Sequence, residues 1–217
     1  LRTLAVAAGF TVRGGPCHVY GLDFSSRGLD SLEYLPHVGS IINGADDERV
    51  ARLIDWLRQV VVDRSERFGK VTASNLTEYR RLSGNAQEAR ILVLIDGIAA
   101  FRTAYEPIAK TKYWDLLTEI AAQGRAVGVH FVMTSDQRSG LSQALASSVQ
   151  RKVVMRMASA EDYGMIGVPN GILAADSPPG RCVVDDAEVQ VAVLGSGSDA
   201  SEQAEALSQF AVAMQHS

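Results

Sequence analysis

Between Arg90 and Gly97 the chain reads RILVLIDG: five aliphatic residues in a row, opened by an arginine and closed by an aspartate and a glycine. Successive side chains of a strand point to opposite faces, so a strand with one wet face alternates apolar and polar residues. This run does not alternate, and both of its faces are expected to be buried. A central strand in a mostly parallel sheet, covered by helices on both sides, meets that demand. The run is also far shorter than the roughly 20 apolar residues that a membrane-spanning helix needs, and no other stretch approaches that length.

The rest of the chain alternates strand and helix signals around this run. CHVYGLD (Cys17 to Asp23) and HVGSII (His37 to Ile42) read as strands. Asp46 and Asp47 then offer N-caps to a long helix with Val50, Leu53, Ile54, Leu57, Val60 and Val61 on one face. Glu48–Arg52 and Asp63–Arg67 add outward pairs four residues apart. NLTEYRRL (Asn75 to Leu82) reads as a short helix capped by its asparagine, and Tyr113, Leu116, Leu117 and Ile120 mark another apolar helix face. HFVMTS (His130 to Ser135) and KVVMRM (Lys152 to Met157) are further strand candidates, and 158–166 reads as helical. RCVV and EVQVAVL predict a hairpin turning at Asp185 and Asp186. Leu1 to Ala8 predicts an opening helix ended by GFTVRGG, and GSGSDAS predicts a hinge into a last helix, Glu202 to Gln215, either exposed or part of a linker. The expected domain is 1–195, with hinge and tail helix at 196–217. The alternation specifies a three-layer α/β sandwich.

Composition excludes some partners. A net charge of −4 argues against a broad polyanion-binding surface, although a local basic groove could survive it. Cys17 and Cys182 lack CxxC spacing and the four histidines are scattered, so no zinc pattern is present. Both cysteines read as reduced and structural. Trp56 and Trp114 fall on helices and read as packing anchors.

The chemistry lies at strand ends. Ligands of open α/β sheets bind beyond the carboxyl edge of the strands, where Asp23, Asp96 and the Ser135–Asp136 pair stand. Each acid alone also suits a helix N-cap; three in one sheet shift the reading toward a site. A strand of this kind delivers its aspartate to magnesium in nucleotide-hydrolysing proteins, and a water-activating glutamate usually follows. Here that position is Gly97. The phosphate-holding motif GxxxxGK[ST] occurs nowhere in the chain.

In order along the chain, LRTLAVAAG, VYGLDFSSRGL, LEYLPHVGSII, NLTEYRRL, ARILVLIDG, GRAVGVHFVMTSDQR and PPGRCVVDDAEVQVAVL resemble the FtsK/SpoIIIE family of RecA-like ATPases. The closer likeness is to the later, degenerate ATPase domains of EccC-type secretion motors. The resemblance implies a RecA-like P-loop NTPase sandwich with a terminal hairpin, and it implies that the P-loop and its strand precede Leu1. Their absence from the chain predicts either a gap beside the Asp96 strand or another segment in that place. Asp96 becomes the Walker B acid, holding magnesium through its water shell, and Asp136 the sensor-like residue. Arg125 is a candidate arginine finger, against the plainer reading of a helix-end arginine bonded to carbonyls. Asp23 and the turn Pro179–Gly180–Arg181 are candidate nucleotide contacts.

The implied cofactors are ATP and Mg2+, given an upstream P-loop. The implied partners are adjacent ATPase domains of the same polypeptide or of hexamer neighbours, a secreted protein's signal helix and, less in keeping with the pattern, DNA. The implied location is the cytoplasmic side of a bacterial plasma membrane, with the anchor outside this chain. Three functions follow: a degenerate ATP-binding or regulatory domain, an active DNA translocase domain, or a nucleotide-free scaffold that docks a signal helix.

Overall fold

The computed structural model describes residues 1–217 except 11–14, 137–139, 158–159, 170, 175, 196–198 and 216–217. Most of the expected turn at GFTVRGG, the core of the GSGSDAS hinge and the start of the helix expected at 158–166 lie outside the described residues. The chain forms two compact units, one of Leu1–Ser148 with Leu207–Ser217, the other of Val149–Ala206.

The first unit is built on four parallel strands: β1 (Cys17–Asp23), β2 (Val38–Asn43), β3 (Arg90–Asp96) and β4 (Val129–Met133), in the order β2-β1-β3-β4. The apolar run is therefore an interior strand, as its lack of alternation demands. Ile91, Val93, Leu94 and Ile95 are buried, and Leu92 is half-buried. The neighbour of β3 on its far side is β4, so no gap opens beside the Asp96 strand. Register sets the functional edge: Asp23 pairs with Asp96 across β1 and β3, and Ile95 pairs with Met133 across β3 and β4. The residues that follow these three strand ends therefore emerge side by side.

Helices cover both faces. On one side lie α2 (Asp47–Lys70), α3 (Leu76–Ser83), α4 (Ile98–Tyr105) and α5 (Thr111–Gln123), packed on Leu22, Ile42, Ile91, Val93 and Ile95. On the other, α1 (Arg2–Ala8) contacts β1, while a 3₁₀ turn at Asp30–Tyr34 contacts β2. Gly21 leaves room there for Ile41, whose Cδ1 would lie within 2.5 Å of a Cβ at that position and would have to turn aside. The long helix forms as its periodicity predicts: the Asp46 side chain caps it by accepting the Arg49 amide at 3.1 Å, and Val50, Leu53, Ile54, Leu57 and Val61 are buried. Asn75 caps α3 by accepting the Glu78 amide at 3.0 Å. Of the tryptophans, Trp114 is buried, whereas Trp56 stays 39% exposed and leans on Tyr20. A short α6 (Gln143–Ser148) closes this stretch of the unit.

The second unit holds β5 (Val154–Met155), α7 (Ala160–Met165), β6 (Arg181–Val184) and β7 (Ala187–Gln190), with an antiparallel sheet in the order β5-β6-β7. The hairpin turns at Asp185 and Asp186, both at positive φ (50° and 64°), as in the tight turns whose twist suits a hairpin. Two expectations are corrected. The strand read at Lys152–Met157 contracts to two residues, and the alternating strand expected through Val193 ends at Gln190, with β7 exposed along its whole length. Alternation there marks an outer strand whose apolar residues do not reach the small core of Val154, Tyr163, Val168, Leu173 and Val183. The last helix, α8 (Ala200–Gln215), runs from the second unit into the first.

Candidate functional site

Beyond the carboxyl ends of β1, β3 and β4 lies a cavity of about 570 Å³. Its walls include Phe24 and Ser25 after β1, Asp96 at the end of β3 with Gly97 after it, Ala99 and Thr103 on α4, and Thr134, Ser135 and Asp136 after β4. Two sequence-predicted residues, Asp96 and Asp136, thus face one space. No lysine or arginine lines it among the described residues.

Backbone bonds tie the strand ends together. The Phe24 amide donates to the Asp96 carbonyl, the Thr134 amide to the Ile95 carbonyl and the Ile98 amide to the Thr134 carbonyl, each at 2.9 Å. Asp96 itself is held by a side chain: its Oδ1 accepts from the Thr134 hydroxyl at 2.6 Å. The same hydroxyl oxygen accepts the Gly97 amide at 2.9 Å. Gly97 opens α4 in the left-handed region, at φ 83°. The residue after the strand-end acid therefore lacks a side chain and also occupies a backbone conformation that disfavours one. The start of α1 approaches the same edge, which brings Leu1 near Asp96.

Asp23 takes a different place. It is 2% exposed, does not line the cavity, and spends both oxygens on its own loop: Oδ1 accepts the Ser25 amide at 3.0 Å and Oδ2 the Leu29 amide at 3.1 Å. It shapes the loop that puts Phe24 against the cavity, where the Phe24 ring meets Phe101 and Tyr105 edge-on at 5.2 and 6.1 Å. Arg125 follows α5 and precedes β4, which puts it at the amino edge of the sheet, away from this cavity. Pro179, Gly180 and Arg181 belong to the second unit; Gly180 has φ 80°, and Arg181 pairs with Glu188 at 3.0 Å.

Thr134 is the residue of this edge that sequence reading missed. The stretch HFVMTSDQ drew attention to its acid, and only cross-strand register reveals that the threonine two residues earlier meets Asp96. The one signal available was a hydroxyl residue directly after an apolar strand neighbouring an acid-ended one.

A parallel sheet with helices on both faces and an acid at the carboxyl edge of an interior strand defines the class: this is the RecA-like ATPase fold. The chain belongs to the FtsK/SpoIIIE family, whose model matches residues 1–169. It is 26% identical over 190 residues to the ESX-1 secretion system protein EccCb1 of Mycolicibacterium smegmatis, covering 84% of this chain and 31% of that protein. Among solved structures it superimposes on EssC (ATPases 2 and 3) from Geobacillus thermodenitrificans with a TM-score of 0.83 at 22% identity, over 99% of this chain and 40% of that one. Thermomonospora curvata EccC (ATPases 2 and 3), solved in complex with a signal sequence peptide, gives a TM-score of 0.79 at 21% identity, over 99% and 39%. The chain thus spans less than half the length of these relatives.

Proposed function

We propose that this chain is an ATPase-type domain of a secretion motor with little hydrolytic chemistry of its own, serving nucleotide binding or regulation of neighbouring ATPase domains. One observation carries the reading: the cavity presents a held acid, Asp96, beside a left-handed glycine where a water-activating acid would be needed. General-base assistance is typically worth about 10²–10⁴-fold, and Gly97 offers none.

The residues present fit one half of a magnesium-nucleotide site. Asp96, with its carboxylate held by Thr134, suits a hydrated magnesium ion, and Asp136 stands where a second acid could orient a water. They do not fit the other half. With no lysine or arginine among the described residues of the walls, the β- and γ-phosphates would have to be cradled by groups other than these. Magnesium, when bound, would neutralise phosphate charge; the chain's own residues hold and orient the ion. Arg125, at the opposite edge, could serve only a neighbouring subunit's site.

The proposed partners are adjacent ATPase domains and a secreted protein's signal helix, and the proposed setting is the cytoplasmic side of a bacterial membrane. The second reading, a nucleotide-free scaffold for such a helix, is favoured by the peptide complex of the Thermomonospora curvata relative. Calorimetry with magnesium-ATP separates the two. A regulatory nucleotide domain is expected to bind weakly, with Kd above about 100 μM or roughly −5.5 kcal/mol, and to lose that binding in Asp96→Ala. No heat at millimolar nucleotide would support the scaffold. Micromolar affinity with sustained phosphate release would sink the degenerate reading and restore an active motor.

A further inference from the structure

Besides bonding through its backbone, Thr134 sets its hydroxyl between two groups of β3's end. Thr134 Oγ1 accepts the Gly97 amide at 2.9 Å and donates to Asp96 Oδ1 at 2.6 Å. A hydroxyl carries a single proton, and here Asp96 receives it. The incoming Gly97 amide fixes the hydroxyl oxygen from the other side, so the proton has one favourable direction. The Thr134 amide and carbonyl, bonded to Ile95 and Ile98 at 2.9 Å each, pin the residue itself. Four bonds thus join one residue at the tip of β4 to residues 95–98.

We propose that Thr134 is a positioning residue, one that locks the Asp96 carboxylate in a single orientation and leaves Oδ2 as the oxygen offered to a cation in the cavity. This deepens the proposed function and rests on the reading of Asp96 as the cation-facing acid. The physical need is plain. An aspartate has three staggered χ1 wells and a broad terminal torsion, and Asp96 is only half-buried at a strand end, with no arginine or lysine among the described residues of the cavity wall. Held by one oxygen, it keeps the other in a fixed place. Partners that orient a metal-facing group in this way are worth about 10–100-fold in affinity. The competing explanation is purely structural: Thr134 satisfies the Gly97 amide and does nothing for Asp96. Valine keeps the shape and β-branch of threonine without the hydroxyl, while serine keeps the hydroxyl without the methyl. Thr134 is exposed, so both variants should fold.

The test uses the isotope-labelled chain. Three-bond couplings to Asp96 Cγ report its χ1, and manganese titration reports cation binding by broadening the amide signals of Gly97 and Ala99. Expected is a single Asp96 rotamer in the parent chain and in Thr134→Ser, and an averaged one in Thr134→Val. Half-broadening should need about tenfold more manganese in Thr134→Val, within about twofold of the parent in Thr134→Ser, and should vanish in Asp96→Asn. A fixed Asp96 rotamer in Thr134→Val, or equal losses in the serine and valine variants, would overturn the positioning role. If manganese broadens nothing near Gly97 in the parent chain, the reading of Asp96 as a cation-facing acid fails. The rotamer comparison then still decides whether Thr134 positions it.

Discussion

Gly97 carries two meanings, and only one was legible in the sequence. Its position after the strand-end acid puts no side chain where a water-activating acid would stand. Its φ of 83° depends on how α4 departs from β3, which no local pattern encodes. A Cβ there would meet nothing nearer than 3.5 Å, the closest atoms being the Phe24 carbonyl group, so space is not the obstacle. The obstacle is the left-handed backbone, which costs an L-residue about 1–2 kcal/mol. Gly97→Ala and Gly97→Glu are therefore expected to lose the same amount, about 1 kcal/mol, in urea unfolding. A neutral Gly97→Glu would mean that the peptide relaxes and that an acid is readily restored. Asp23 teaches the complementary lesson: its strand-end placement was legible, but the direction of its carboxylate, back into its own loop, follows from the Ser25 and Leu29 amides and not from its neighbours in sequence.

Among the elements, those with strong periodicity came out close to expectation. The apolar face of α2, the caps at Asp46 and Asn75 and the unbroken apolar β3 are local signals, and packing agreed with them. The hairpin strands were harder, because alternation in Val189, Val191 and Val193 does not say whether a core is within reach. Nor did sequence reveal what fastens α2 to the sheet. Arg64 is 5% exposed inside this element, donating to the Val127 and Ala89 carbonyls at 2.9 and 2.7 Å and pairing with Glu88 at 2.9 Å. Arg67 reaches the same carboxylate at 2.6 Å and stacks its guanidinium over Tyr79. The hydrogen bond from Arg67, aided by the charge of Arg64, holds the Glu88 carboxyl below the ordinary value of 4.5 although burial opposes it. A folded-state pKa below the unfolded one means that this contribution is complete above the unfolded value and is lost as pH falls through the folded one. Glu88→Gln keeps an acceptor oxygen but not the charge, so it should cost about 2 kcal/mol at pH 7. The gap to the parent chain should narrow below about pH 4, as the parent's own carboxyl protonates. Denaturant midpoints across pH 3–7 test this; a gap constant with pH would show that shape, not charge, anchors the helix.

At the scale of the whole molecule, the least legible feature is the return of α8 to the first unit. From composition, a hinge followed by an alanine-rich helix reads equally as tail or as linker, since nothing local says where such a helix docks. Its second half nevertheless has a buried stripe: Leu207 and Ala211 are 2% and 3% exposed, one turn apart. Phe210 lies 5.4 Å from Phe10, just past α1, and Met214 lies so close to Gly9 that a Cβ on that glycine would stand 2.8 Å from the methionine methyl. Positions 207, 210, 211 and 214 share one helical face, which gives the helix a seat on the stretch that ends α1. In proteins most helical stability comes from packing of one face rather than from propensity, so the seat should be what keeps α8 ordered. Leu207→Ala is then expected to cost about 3 kcal/mol, within the usual range for a buried leucine. Val212, on the outer face and 54% exposed, should accept serine for less than about 0.5 kcal/mol. The decisive measurement is hydrogen exchange at the amides of α1. If α8 braces the first unit, Leu207→Ala quickens exchange there and Val212→Ser does not. Unchanged protection of α1 in Leu207→Ala would mean that the helix rests on this unit without supporting it, and that the sheet and its cavity hold their shape unaided.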